Sequence, residues 1–329
     1  MVVVDGAGSA DVLIVGGGPT GLFAAYYAGF RGLRSIILDS LPELGGQVAA
    51  MYPEKLIFDV AGFPKVTGRE LVERLVEQAE RYRPAVFLEE PVRLIRREAG
   101  GGFVILTDHH EHRGRVTLIT AGIGMFQPKR LAAFPEYEER GLVYFVRKLE
   151  PYAGKRVLIV GGGDSAVDWA LHLLPLAVQV TLVHRRDAFR AHEDSVRQLH
   201  DSPVIVKTPY ELRSIGGDGK VEAAVIYHNL TRVEERLEVD AIIAAVGFVA
   251  DIGPLATWGL ELEGHSIVVN SRMETSEPGI YAAGDIVAYP GKVRLIATDF
   301  GEAATAVNNA AHFLNPQTSV FPGYSTHKG

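Results

Sequence analysis

Residues 156–163 (Arg-Val-Leu-Ile-Val-Gly-Gly-Gly) repeat residues 11–18 (Asp-Val-Leu-Ile-Val-Gly-Gly-Gly) at an offset of 145. Each copy holds a four-residue apolar run. That is too short for a helix, but it is the length of a parallel strand buried on both faces. The first copy continues as Gly16-x-Gly18-x-x-Gly21 and the second as Gly161-x-Gly163-x-x-Ala166. Helical stretches follow at 22–28 and 167–174. Strand, glycine turn and helix in this order form a dinucleotide-binding fingerprint. The first glycine makes the tight turn, and the second lets backbone N–H groups approach a pyrophosphate. The third small residue lets helix pack on strand. A diphosphate then sits at the positive end of the helix.

A second apolar strand follows each copy at the same distance. Ser-Ile-Ile-Leu ends at Asp39, Val-Thr-Leu-Val ends at His184, and these tips are again 145 apart. A strand tip in this position meets the adenosine ribose. Asp39 accepts from ribose hydroxyls and repels a 2′-phosphate. His184, Arg185, Arg186 and Arg190 present cations where a 2′-phosphate would lie. The first copy therefore suits FAD or NAD, and the second NADP(H).

Composition narrows the chemistry. The chain has no cysteine, which excludes thiolate catalysis, a dithiol relay and Cys-ligated iron–sulfur clusters. Electrons must then travel on a bound organic cofactor. A net charge of −7 argues against general nucleic-acid binding. The longest apolar run, residues 241–250, is too short for a bilayer, which needs about 20 residues. The N-terminus has no basic stretch before an apolar one, so no secretory signal or membrane association is expected, and the chain is expected to be cytoplasmic.

Three further glycine signals follow. Residues 279–285 (Gly-Ile-Tyr-Ala-Ala-Gly-Asp) read as a short strand ending at Gly284-Asp285, where a carboxylate can bind a sugar-alcohol hydroxyl. Residues 294–302 lead into a helical run expected over 303–314, whose N-terminal N–H groups can face a flavin pyrimidine edge. Gly45-Gly46-Gln47 permits close approach to a flat ligand.

Taken together, these segments resemble the low-molecular-weight thioredoxin reductase family over nearly the whole chain. One departure is decisive. That family carries a Cys-x-x-Cys pair after a Gly-Val-x-Tyr segment. Here Gly141-Leu-Val-Tyr144 is followed by Phe145 and Lys148 at the two cysteine positions. The chain thus resembles the cysteine-free branch, the ferredoxin (or flavodoxin)–NADP⁺ reductases of the thioredoxin-reductase-like type. The resemblance implies FAD contacts at Gly16, Gly18, Pro19, Thr20, Gly21, Asp39, Gly46, Gln47, Phe126, Asp285, Thr298 and Thr326. It also implies that Tyr52 and Tyr324 stack on the two flavin faces. Gly161, Gly163, Asp164, Ser165, Ala166, His184, Arg185, Arg186 and Arg190 would hold NADP(H), and a homodimer is the family's habit.

The expected fold is α/β, with two Rossmann-like three-layer (ββα) domains. An NADP(H) domain at 123–246 is inserted into an FAD domain at 1–122 and 247–329, with Gly122, Gly124 and Gly247 able to act as hinges. Thr67-x-x-Glu70 predicts a capped helix with Leu71, Leu75 and Ala79 on one face. A hairpin is expected from 103–107 to 115–120, and its turn, Asp108-His109-His110-Glu111-His112, is read as solvated and holding no metal.

The implied reaction moves hydride between NADPH and flavin N5, with one-electron exchange to ferredoxin or flavodoxin. No side chain is expected to act as acid or base, and the Tyr324 tail or the glycine hinges would admit the nicotinamide. Lys129-Arg130 and Arg147-Lys148 are the candidate basic patches for an acidic partner. The alternatives are an NADPH diaphorase or oxidase serving quinone or oxygen, and a non-enzymatic NADP(H)-sensing flavoprotein. A flavin monooxygenase is disfavoured, because the Phe-x-Gly-x-x-x-His signature is missing.

Overall fold

The computed structural model describes residues 8–122, 125–251, 253–321 and 323. These separate into two compact units, one drawn from 1–50, 56–126 and 250–329, the other from 51–55 and 127–249. Each is a Rossmann-like α/β unit, and their parallel sheets share one strand order. In the first unit the order is Ala85–Phe87, Ser35–Leu38, Ser9–Val15, Glu111–Ile119 and Ile280–Ala282. In the second it is Ile205–Lys207, Gln179–Val183, Arg156–Gly161, Ala241–Ala245 and Leu142–Val143. The repeat therefore extends from the glycine turn to the whole sheet. The last strand differs in its place along the chain. Ile280–Ala282 is reached only after the second unit is complete, whereas Leu142–Val143 precedes the second glycine turn.

Burial explains why the strands show no polar alternation. Val157 and Ile159 pack in one cluster with Val167 and Trp169, while their neighbours Leu158 and Val160 pack in another with Ala224 and Ile226. Successive residues enter different cores because the sheet is covered on both faces. The second cover is a three-stranded antiparallel sheet, Tyr210–Gly216, Ala223–His228 and Glu234–Glu238.

In the first unit the nine-residue strand Glu111–Ile119 pairs along one edge with Ser9–Val15 and divides its other edge between two partners. Its first half pairs antiparallel with Phe103–Leu106, and its second half pairs parallel with Ile280–Ala282. This corrects the expected hairpin. Leu106 faces Glu111 in the register, so the turn covers only 107–110. His112 lies in the strand opposite Ile105 and is fully buried.

The helix Gly68–Glu80 is capped as the Thr67-x-x-Glu70 pattern predicts, with Thr67 Oγ1 accepting from the Glu70 N–H at 3.2 Å. The C-terminal helix spans Ile296–Leu314 and starts well before the expected residue 303. No helix among the described residues is long and apolar enough to cross a membrane.

Candidate functional site

In the first unit, backbone crowding dictates the glycine pattern. Gly16 has φ +109°, and a Cβ there would stand 2.5 Å from the Thr120 carbonyl oxygen. A Cβ on Gly21 would overlap the Gly16 carbonyl oxygen. The helix Pro19–Phe30 then starts at Gly18 with no side chain capping its first N–H groups. Those donors are the ones a diphosphate takes.

Asp39 ends the adjacent strand and is 6% exposed. Its Oδ2 accepts from the Gly17 N–H at 2.5 Å and its Oδ1 from the Leu41 N–H at 2.8 Å. Burial pushes this carboxyl above its ordinary value, against the pull of the Leu41, Gly17 and Ser40 backbone donors. The Gly45 N–H donates to the Gly17 carbonyl at 2.9 Å, which brings the Gly45-Gly46-Gln47 segment onto the same turn. Gln47 lies on the short helix Gly46–Met51, beside Gly122.

The Gly284-Asp285 turn closes the cradle against Thr20, whose hydroxyl would lie 3.1 Å from a Cβ on Gly284. Asp285 Oδ1 is buried without a hydrogen-bond partner among the described residues, and burial raises this carboxyl's pKa. A glycine-lined turn, a buried carboxylate at the adjacent strand tip and an orphaned buried carboxylate oxygen together fit the diphosphate, adenosine ribose and ribityl hydroxyls of FAD. Thr298 sits in the opening turn of Ile296–Leu314, whose N-cap Leu295 offers no capping side chain.

An ionic network that the sequence did not reveal braces this side. Lys292 Nζ donates to Asp299 Oδ1 at 2.8 Å and to Glu302 Oε1 at 2.6 Å, with all three side chains at most 8% exposed. The Tyr289 hydroxyl donates to Glu302 Oε1 at 2.6 Å, and the Gly284 N–H to Glu302 Oε2 at 2.8 Å. Glu302 thereby holds the turn that presents Asp285. Burial lifts Asp299 to about 6, outweighing the bond from Lys292. Asp299 and Glu302, three apart on an otherwise alanine-rich helix, were the available signal.

In the second unit the same logic recurs. A Cβ on Gly161 would overlap the Ala245 carbonyl oxygen, and the Ala166 Cβ already lies 3.1 Å from that position. The Arg190 N–H donates to the Gly162 carbonyl at 2.7 Å, and the His192 N–H to Asp164 Oδ1 at 2.8 Å. The 184–192 segment is thus folded back onto the glycine turn. Arg185, Arg186 and Arg190 are exposed. No ion pair holds them among the described residues. Asn229 Nδ2 donates to the Arg185 carbonyl at 2.8 Å.

His184 differs from these arginines. It stacks on Phe189 at 5.4 Å between ring centres. Burial pushes its pKa down, against the backbone bond to Ala188 and with the help of the three neighbouring arginines, which favours its neutral form. The cations are the arginines alone. Ser165 opens the helix Asp164–His172.

Tyr52 lies in the second unit, packed against the core that contains Trp169. Its segment is tied down by Lys55, whose Nζ meets Asp168 Oδ2 at 2.5 Å. Phe126 lies on the strand Met125–Pro128. Gly124, Tyr324 and Thr326 lie outside the described residues.

The chain is similar to known proteins over nearly its whole length. Residues 10–310 match the family described as pyridine nucleotide-disulphide oxidoreductase. The chain is 54% identical over 319 residues to a ferredoxin–NADP reductase of Halalkalibacterium halodurans, covering 96% of this chain and 97% of that protein. It is 50% identical over 319 residues to a ferredoxin–NADP reductase of Geobacillus thermodenitrificans, covering 96% of each. Among solved structures, the thioredoxin reductase of T. acidophilum superposes with a TM-score of 0.80 at 29% identity, over 92% of this chain and 98% of that one.

Proposed function

This chain belongs to the pyridine nucleotide-disulphide oxidoreductase family, and on that premise we infer that it is an FAD-dependent ferredoxin–NADP⁺ reductase. One observation carries the reading. Two glycine turns of the same construction end in opposite chemistry, a buried carboxylate at Asp39 and exposed guanidinium groups at Arg185, Arg186 and Arg190. The first takes the adenosine of FAD, and the second takes the 2′-phosphate of NADP(H). With no cysteine in the chain, electrons leave to an external acceptor.

Bound FAD supplies the exchange between two-electron hydride transfer and one-electron transfer. The chain's own part is placement. Gly16, Gly18, Pro19, Thr20 and Gly21 hold the flavin nucleotide's diphosphate, Asp39 its ribose, and Asp285 its ribityl chain. Gly46, Gln47 and Thr298 line the remainder. Gly161, Gly163, Asp164, Ser165 and Ala166 hold the NADP(H) diphosphate. Tyr52 is assigned a flavin face, and the Lys55–Asp168 pair holds its segment in this structure. No side chain acts as acid or base in the hydride step, since alignment and a preorganised field suffice.

The proposed acceptor is ferredoxin, with flavodoxin as the other one-electron partner, in a cytoplasmic homodimer. Arg147 and Lys148 are exposed and form the better docking patch. Lys129-Arg130 is weaker, because Arg130 already pairs with Glu138. The test is NADPH-driven cytochrome c reduction with and without ferredoxin. The reading expects the rate to rise in proportion to ferredoxin. Turnover with quinone but none through ferredoxin would replace it with a diaphorase.

A further inference from the structure

We propose that Glu90, His110 and His112 form a binding site for one divalent transition-metal ion, Zn²⁺ or Co²⁺ in kind. One ligand atom from each lies within 4.8 Å of the others. Two imidazoles and a carboxylate are a donor set that zinc and cobalt accept, with a fourth position left to water.

Burial makes this more than a chance surface grouping. Glu90 is 5% exposed and His112 is fully buried. Glu90 Oε2 and His112 Nε2 are both buried with no hydrogen-bond partner among the described residues. Each such orphan is costly to bury unless something fills the gap. Two orphans from different elements, sharing one small cluster, point to a common occupant.

The protonation states suit a metal. Burial pushes the Glu90 carboxyl up, but the Thr107 hydroxyl and the His110 imidazole outweigh it and hold it below its ordinary range. Burial pushes His112 down, keeping its imidazole neutral. An ionised carboxylate and a neutral imidazole are the ligating forms. The scaffold is rigid, since His112 pairs with Ile105 in the hairpin and meets the edge of Phe87 at 4.4 Å. His110 is the partly exposed member, at 27%, and gives the ion its way in.

Binding carries two local costs. His110 Nδ1 donates to Glu90 Oε1 at 2.5 Å, and the ion must take the place of that proton. His112 Nδ1 accepts from the Gly8 N–H at 3.2 Å, which leaves the His112 proton on Nε2. Loading the ion on Nε2 moves that proton to Nδ1 and releases the Gly8 amide. The Glu90 N–H donates to the Asp39 carbonyl at 2.8 Å, so an occupied site would brace the strand tip that receives the adenosine ribose.

None of these residues takes part in the redox reading, so this proposal can fail while that one stands. The test is equilibrium dialysis of the FAD-loaded, chelator-treated protein against Zn²⁺, with metal analysis. About one Zn²⁺ per chain is expected, together with a rise in thermal midpoint on loading. Glu90→Gln and His112→Gln should lose the ion at least tenfold. Because either could disturb folding, His110→Ala on the exposed side must also lose it while keeping the wild-type flavin spectrum. NADPH oxidation by the wild type should be the same with and without Zn²⁺. Absence of stoichiometric zinc, the orphan atoms then being bridged by water, overturns the proposal. So does equal zinc binding by the wild type and all three variants.

Discussion

The carboxylate of Asp39 accepts the backbone N–H of Gly17 at 2.5 Å, across 22 positions of sequence, so the tip of the strand Ser35–Leu38 and the first glycine turn are one hydrogen-bonded unit. The Leu41 N–H fixes the other oxygen at 2.8 Å. The cradle proposed for FAD is therefore set before any ligand arrives, which lowers the ordering cost of binding.

Asp39→Asn should weaken FAD binding about 10- to 100-fold, the worth of one or two hydrogen bonds to a charged group. Asp39→Ala should yield protein that loses its yellow colour on dialysis. Ultrafiltration with measurement of released FAD checks both, and unchanged retention in Asp39→Ala would remove this residue from the site.

Gly21→Ala should prevent FAD binding, because the added Cβ would overlap the Gly16 carbonyl oxygen. Gly100→Ala is the control, with nothing within 4 Å of the added atom. It should be neutral, or stabilising by up to about 1 kcal/mol through the unfolded chain. Flavin content and urea midpoints separate the two cases.

Arg185→Ala with Arg186→Ala should raise KM for NADPH by at least about tenfold and leave NADH nearly unchanged, since exposed charge-assisted bonds to a 2′-phosphate are lost. Steady-state kinetics with both cofactors decides this. An equal loss for NADPH and NADH would mean that the arginines serve the shared diphosphate instead.

Asp299 gives the stability profile a definite sign. Its folded value, about 6, lies above the ordinary aspartate value of 3.8. Between those values the folded state holds a proton that the unfolded state has released. Its contribution is therefore largest at low pH and is lost as pH rises through about 6. Asp299→Asn should gain stability relative to the wild type as pH goes from about 4 to 8, by up to about 3 kcal/mol before allowance for its bond to Lys292. Urea unfolding at several pH values checks this, and a difference that does not change with pH would contradict it.

How much was legible in the sequence follows from how local each signal is. The glycine turns could be read because an apolar run of four residues and three fixed small positions lie within a dozen residues. Asp39 and His184 followed from the common offset. The neutrality of His184 could not be read, since it comes from burial and stacking on Phe189. The Lys292–Glu302 network escaped because its charges interrupt a run that reads as a plain helix. The hairpin is legible, but its turn reads longer than it is, because His112 and Glu111 look solvated until the register with Phe103–Leu106 is known. Residues 51–55 fall in the second unit, where Tyr52 packs on the Trp169 core and Lys55 meets Asp168, contacts between residues far apart in sequence.

The central claim is that one chain holds FAD in its first glycine cradle and receives hydride from NADP(H) bound at its second. Its most direct test is anaerobic stopped-flow mixing of the purified, FAD-loaded protein with NADPH and with NADH, following the visible flavin band. NADPH should bleach the band within a turnover, and replacing Arg185 and Arg186 should slow NADPH bleaching selectively at low concentration. A colourless protein that FAD cannot reconstitute, or a bound flavin that NADPH leaves oxidised, would contradict it.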